Sequence, residues 1–326
     1  MPYNSLTDRD EAAALIPEDA SREILGPIAE ASVVGSLATR APDMSRKQRR
    51  IPVWSTLPHA YFVNGDTGMK QTTEVAWDNV YLNAEELAVI VPVPEAVVDD
   101  ADYPIFETAK PQIVTAFGKA FDRAVLLGEN APTAWPDPIV DGASSAGHVV
   151  NVGEVGDVYD DILGEGGVVS LVEEDGFFVN GHVAALSMRA KYRGLREKDV
   201  DGNATGQPIF IKDPSAATGY LFDGEALTFP RNGALMASDD VLQVSGDWSQ
   251  LIWAVRQDIT YKVLDQAVIT DAENNIIYNL AQQDMVALRV VFRVAWALPN
   301  PVNHVNSDAD TRYPFAVYAT ATGVTS

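Results

Sequence analysis

The sequence predicts an α+β protein built around one long helix, and three stretches lead there. Over residues 102–128, Ile113, Phe117, Phe121 and Val125 recur every four residues and form one apolar stripe of helical period. Residues 51–93 are rich in Val, Thr, Tyr and Trp on either side of Asn64-Gly65, the pattern of a β-hairpin. Over residues 285–298, Val286, Leu288, Val290, Phe292, Val294 and Trp296 share one strand face while Arg289 and Arg293 share the other.

Taken in order, residues 1–45 hold few bulky apolar side chains and are broken by Pro17, Gly26, Pro27 and Pro42. A short helix over 19–25 and a loosely apolar segment over 31–38 are the order expected in this arm. Arg46, Lys47, Arg49 and Arg50 follow as a basic cluster in an acidic chain. No aromatic residue interleaves them, so a carboxylate-rich surface on a neighbouring copy fits them better than nucleic acid does. The hairpin that follows has limbs of a dozen or more residues, which at about 3.3 Å each project roughly 40 Å. Asn64, Gly65 and Asp66 form its turn and Lys70 lies near its tip.

The long helix has Asp102 as N-cap, Pro104 in its first turn, Pro111 as a kink and Gly128 as its stop. Ala109, Ala116, Ala120 and Ala124 are expected on its apolar side, with Thr115, Lys119, Asp122 and Arg123 on the polar side. Residues 130–147, with Pro132, Pro136 and Pro138, read as a linker. A second unit then begins, with helices expected over 155–163 and 182–195, the latter with Ala184, Ala185, Met188 and Tyr192 at helical spacing. Residues 177–180 are read as extended and 198–208 as a polar loop. Residues 213–234 are loop-rich, and separate strands are expected over 251–255, 259–264 and 267–270.

The 326 residues carry 46 acidic and 23 basic side chains, a formal charge of -23, which excludes a protein that coats nucleic acid through a generally basic surface. Zero cysteines exclude disulfides and thiolate metal sites. Without a signal-like N-terminus or an apolar run of spanning length, a soluble cytoplasmic product with no membrane partner is expected. The initial Met1 suggests a primary translation product.

Motifs for chemistry are missing. There is no nucleophile elbow, phosphate loop, dinucleotide fingerprint or zinc-protease pattern. His59, His148, His182 and His304 lack ligand spacing, and the runs Asp99, Asp100, Asp102 and Glu173, Glu174, Asp175 read as turns and caps. Gly164, Gly166 and Gly167 follow a helix and mark its stop instead of an anion cradle. No catalytic residue, cofactor or metal is expected, and the chain is read as a non-enzyme.

The order of arm, long hairpin, spine helix, linker, mixed α/β unit and late long strand resembles the major capsid proteins of tailed phages, the Hong Kong 97-like fold. The segments that carry the resemblance are FVNGDTGMKQTTEVAWDNVYLNAEELAVIVPVPEAVVDD, the spine helix, SLVEEDGFFVNGHVAALSMRAKYRGLREKDVDGNATGQPIF, GDWSQLIWAVRQDITYKVLDQA and QQDMVALRVVFRVAWAL. The resemblance implies an N-arm over 1–50, an E-loop hairpin over 51–93, a peripheral domain from 94–140 and 271–326, and an axial domain over 141–270. It implies a structural role, in which pentamers and hexamers of this chain close an icosahedral shell around double-stranded DNA without sequence-specific binding. That would be a virion capsid put together in the host cytoplasm.

Implied partners are other copies, a portal protein, and separate scaffolding and decoration proteins. Arg46, Lys47, Arg49, Arg50, Asn64, Gly65, Asp66, Lys70, Arg289 and Arg293 become the candidate inter-subunit contacts. Some relatives join an E-loop lysine to a neighbour's asparagine with a glutamate as base. Here Lys70 and Asn300, Asn303 or Asn306 could be matched, but no Glu follows Glu273, so crosslinking is not expected. Alternatives are an encapsulin-type compartment with the same fold, and an acidic α/β hydrolase, which leaves the long hairpin unexplained.

Overall fold

The structure is a computed structural model that describes residues 32–63, 69–70, 72–100, 105–198, 204–212, 219–236, 239–271 and 273–320. The helix expected over 19–25 lies outside the described residues. The described chain opens with helix α1 (Val33–Leu37), strand β1 (Thr39–Arg40), the hairpin strands β2 (Gln48–Thr56) and β3 (Ala76–Asn83), and β4 (Glu85–Pro94). Helix α2 (Glu95–Asp100) leads to the spine helix α3 (Ile105–Leu127), then α4 (Ile139–Ser145), β5 (Val149–Asn151), α5 (Val158–Leu163) and α6 (Val168–Glu174). Next come β6 (Gly181–Ala184), α7 (Met188–Tyr192), β7 (Arg196–Lys198), β8 (Ala204–Pro208), β9 (Phe210–Ile211), β10 (Leu221–Phe222), β11 (Glu225–Thr228) and β12 (Val241–Gly246). The last described strands are β13 (Ile252–Leu264), β14 (Val268–Thr270), β15 (Ile276–Asn279), β16 (Met285–Ala297) and β17 (Phe315–Ala319).

Two sheets hold the molecule. The first has the order β1-β13-β16-β4, and the second the order β5-β17-β12-β6-β11-β10-β9. The long strand read from the sequence becomes β16, hydrogen-bonded on both sides, with Trp296 opposite Trp253 of β13 and Phe292 opposite Leu87 of β4. All six residues expected on its apolar face except the half-buried Val286 are buried. The spine lies on this sheet. Phe117 stacks on Phe292 with ring centroids 6.4 Å apart, and Phe121 meets Trp253 at 6.2 Å.

The spine ends where the sequence predicts. Gly128 has φ +71, a conformation open to glycine at low cost, and the Glu129 N–H turns back to the Arg123 carbonyl at 3.3 Å. Its sides differ from the expectation. Ala124 is buried and Ala109 half-buried, but Ala116 and Ala120 are exposed, while Val114, Leu126 and the expected polar-face residue Asp122 are buried. The buried face is therefore broader than one stripe, because the spine packs against α1 and the 229–235 segment as well as against the sheet.

Asp122 is the joint of that packing. Its carboxylate accepts hydrogen bonds from the Ser32 hydroxyl at 2.6 Å, the Val33 and Val34 N–H groups at 2.9 and 3.1 Å, and Asn232 Nδ2 at 2.7 Å. Ser32 also caps α1, its oxygen accepting from the Gly35 N–H at 2.9 Å. A side chain 90 residues away thus holds the start of the described chain.

Four further expectations are corrected. The 51–93 hairpin is only β2 with β3, whereas 85–94 crosses into the first sheet; residues 59–63 are not in a strand, since Pro58 interrupts the ladder and side chains link the limbs there, as in Tyr61 Oη donating to the Thr72 carbonyl at 2.9 Å. The 130–147 linker contains α4, whose Ile139, Val140 and Ala143 are buried; a Cβ at Gly142 would overlap the Tyr313 hydroxyl, so only glycine allows this approach. The 182–195 helix shrinks to α7, because β12 and β11 claim residues 181–184 as β6 between them. The strands expected over 251–255 and 259–264 are one strand, β13, carrying two register shifts.

Sheet membership also runs across the boundary expected at 270. Strand β13 pairs in the first sheet with β16, and β17, from the 271–326 part, pairs between β12 and β5 in the second.

Burial pushes the Asp122 carboxyl up to about 6, against the pull of Ser32, Asn232 and the two backbone N–H groups. A raised carboxyl leaves stability intact below its unfolded value of about 4 and lowers it as pH rises through about 6. The stability of the native chain relative to Asp122→Asn is expected to fall by about 3 kcal/mol across that window and to level off above it. Urea unfolding of both proteins over the window checks this, and a pH-independent difference would remove the titration from Asp122.

Candidate inter-subunit surfaces

The hairpin β2–β3 is rooted at its base and bare beyond it. Leu82 and Ala84 pack with Met44, Ala254, Ala295 and Ala297 in a small core, and the Trp135 indole N–H donates to the Asn83 carbonyl at 2.9 Å. Farther out, Trp54 and Trp77 sit opposite each other across the ladder with ring centroids 4.8 Å apart. Trp77 is 59% exposed, and Phe62 and Met69 nearer the tip are almost fully exposed. An isolated two-stranded ribbon is marginally stable in water, and this one carries its aromatic side chains into solvent.

A second exposed apolar ribbon is β14–β15, where Val268, Ile276 and Ile277 are uncovered. Neither aromatic pair nor second ribbon was singled out from the sequence. The signal for the first was present as one tryptophan on each limb, Trp54 before and Trp77 after the Asn64-Gly65 pair.

The basic candidates separate into paired and unpaired groups. Lys47 Nζ lies 3.1 Å from Glu85, and Arg49 donates to the carbonyls of Pro42 and Asp43 at 2.7 and 2.9 Å, so both are committed within the chain. Arg46 and Arg50 are exposed and form no ion pair among the described residues. Arg293 faces Glu86 across the β16–β4 ladder and donates to it through Nε and Nη2 at 2.9 and 2.7 Å. Arg289 is exposed, opposite Ile90 and Lys262, with no ion pair among the described residues. Lys70 is exposed, and Asn64, Gly65 and Asp66 lie outside the described residues.

Chemistry-bearing side chains are structural where they cluster. His182 is buried beside Ser245, with Nδ1 2.9 Å from its hydroxyl, and burial pushes the imidazole down to about 4, which keeps it neutral inside the sheet. Asp161 is buried; burial raises its carboxyl, but the N–H groups of Gly153, Gly156 and Val155 and the Tyr318 hydroxyl outweigh that and hold it low. No group of three or more metal-ligating side chains occurs among the described residues.

Two bare ribbons on a two-sheet body with a spine helix are what comparison with known proteins must explain. The chain matches the model of the Phage capsid family over residues 12–302. It belongs to that family. Among solved structures it is similar to one from Microbacterium phage Oxtober96, with TM-score 0.74 and 30% identity over 97% of this chain and 100% of that one. A structure from Mycobacterium phage Cain gives TM-score 0.71 and 33% identity over 98% and 100%. A protein of Staphylococcus phage 80alpha described as a major capsid protein is 28% identical over 277 residues, 83% of this chain and 78% of that protein. The fold is the Hong Kong 97-like fold of phage capsid proteins.

Within that family, the three asparagines matched to a crosslink acceptor are already engaged. Asn300 Nδ2 donates to the Arg312 carbonyl, Asn303 Nδ2 to the Asp175 carbonyl, and Asn306 Nδ2 to the Asp175 carboxylate, each at 2.7 Å. Attack on such an amide would first break a hydrogen bond in a folded loop. Assembled particles are expected to run as a single 35.2 kDa species on a denaturing gel, unchanged by Lys70→Arg. A ladder of multiples lost in that variant would show a covalent link.

Proposed function

We propose that this chain is the major shell subunit of a tailed phage, assembling as pentamers and hexamers into an icosahedral capsid around double-stranded DNA. Membership of the Phage capsid family carries the reading, and the uncovered Trp54–Trp77 ribbon supports it. Residues 1–50 serve as the N-arm and β2–β3 as the E-loop. The first sheet with the spine forms the peripheral domain, and the second sheet the axial domain. Assembly in the host cytoplasm and a portal at one vertex belong to the same reading.

The physics suits a lattice. Each ribbon laid on a neighbour shields apolar surface that the lone chain leaves wet, and many modest contacts sum over a closed shell. The charge of -23 disfavours tight binding of DNA to the wall, as a container for DNA requires.

Electron microscopy of the protein, alone and co-expressed with its genomic neighbours, is the test. Closed shells or rings of five and six subunits are expected, and a chain that stays monomeric in both settings would overturn the reading. Deleting residues 64–73 is expected to leave a folded subunit that forms no closed shells. Trp54→Ser with Trp77→Ser is expected to act the same way while changing the stability of the single chain by about 1 kcal/mol or less, read by urea unfolding.

A further inference from the structure

Strands β6 and β11 run parallel, with Gly181 opposite Ala226 and Val183 opposite Thr228, and the two ends of the pair differ in chemistry. At their start, Phe178, Glu173, Asp223 and Glu225 line a cleft of about 330 Å³. Past their far end, Leu186, Arg189, Thr228 and Phe229 line another of about 420 Å³, to which the exposed Arg231 adds its charge. Four-residue strands separate the two ends by roughly 13 Å, at about 3.3 Å per residue.

The acidic end leads with an apolar knob. Phe178 is 82% exposed, Glu173 and Glu225 are exposed around it, and neither glutamate forms an ion pair among the described residues. Burial and the charge of Glu197 push the Asp223 carboxyl above its usual range, as expected where acids crowd without a cation.

The basic end offers the complement. Leu186 is 54% exposed there. Arg189 stands over the Tyr220 ring at 4.9 Å and donates to its hydroxyl through Nη2 at 2.5 Å, yet its Nε is buried without a hydrogen-bond partner, and so is the Thr228 hydroxyl on the same cleft. A carboxylate accepts from both kinds of donor.

We propose that these ends are the two halves of one contact between copies, in which Phe178 of one chain enters the basic cleft of the next and Glu173 and Glu225 face Arg189, Thr228 and Arg231. The assignment rests on the shell-subunit reading and names the contact that closes its rings.

Charge and connectivity favour a second copy. At -23 two chains repel at long range, so a contact between them needs a local reversal of sign, and the arginine-lined cleft supplies one. A contact that joins two different patches is heterologous, and repeated with a constant rotation it closes a ring. Nucleic-acid phosphate would also suit two arginines, but it would leave Phe178 and Leu186 wet, whereas a second copy covers both.

Native mass spectrometry and electron microscopy of the full-length chain, co-expressed with its genomic neighbours, test the assignment. Phe178→Ser, Glu225→Arg and Arg231→Glu each change an exposed side chain, so each is expected to unfold in urea as the native chain does while the yield of rings and shells falls about tenfold or more. Mixing Glu225→Arg chains with Arg231→Glu chains is expected to restore rings of even number, because each altered end then meets its complement. Variants that separately form as many rings as the native chain would overturn the inference and leave the shell reading standing. A native chain that forms neither rings nor shells would overturn both. Two-fold dimers as the species lost in the variants would overturn the head-to-tail ring. Duplex DNA that binds the native chain but not Arg231→Glu, with rings of that variant unchanged, would give the cleft to phosphate instead.

Discussion

A carboxylate without a cation at the centre of a fold must be satisfied by dipoles or be expelled, and Asp122 is satisfied by four of them drawn from two distant parts of the chain. The spine therefore cannot slide along the sheet or turn about its axis without stranding either the carboxylate or the α1 amides. With that rotation fixed, Phe117 and Phe121 reach Phe292 and Trp253, and Arg123 reaches Glu129 and Asp239 on the opposite side. Both sheets are thereby referred to one helix.

Such a body has a clear division of labour. Its centre is rigid, with β16 bonded along both edges and β12 and β17 fully buried. Its extremities are ribbons on which large apolar side chains such as Trp77 and Ile276 stay exposed among the described residues. A monomer that functioned alone would have little use for the tilted Trp54–Trp77 pair, while a subunit that is complete only among neighbours needs such a handle on a stiff base.

Much of this was legible in the sequence where one period governs a long segment. The spine and β16 announced themselves because 23- and 13-residue elements repeat their pattern often enough to outweigh local exceptions. Short elements did not. Residues 181–184 carry alanines that suit a helix, and only β11 and β12 on either side make them a strand; α4 hides behind its prolines until Tyr313 and the spine bury it. Asp122 was unreadable for a different reason, since a charged residue amid Lys119 and Arg123 looks solvated unless its partners 90 and 110 residues away are known. The basic cluster at 46–50 was visible as charge, but which members were spent internally depended on Glu85 and on the carbonyls of Pro42 and Asp43.

The place of β17 has a consequence for how the molecule is made. It lies between β5, which is over 160 residues earlier, and β12, and both pairings require it. The second sheet stays split until residue 319 has been synthesised, so its closure waits on contacts between segments far apart in the chain. A ribosome that stalls early leaves β5 unpaired and the β12 edge open, a product unable to present a finished surface. Topology thus acts as a checkpoint on length, and subunits that join a lattice have already proved that their far end was made.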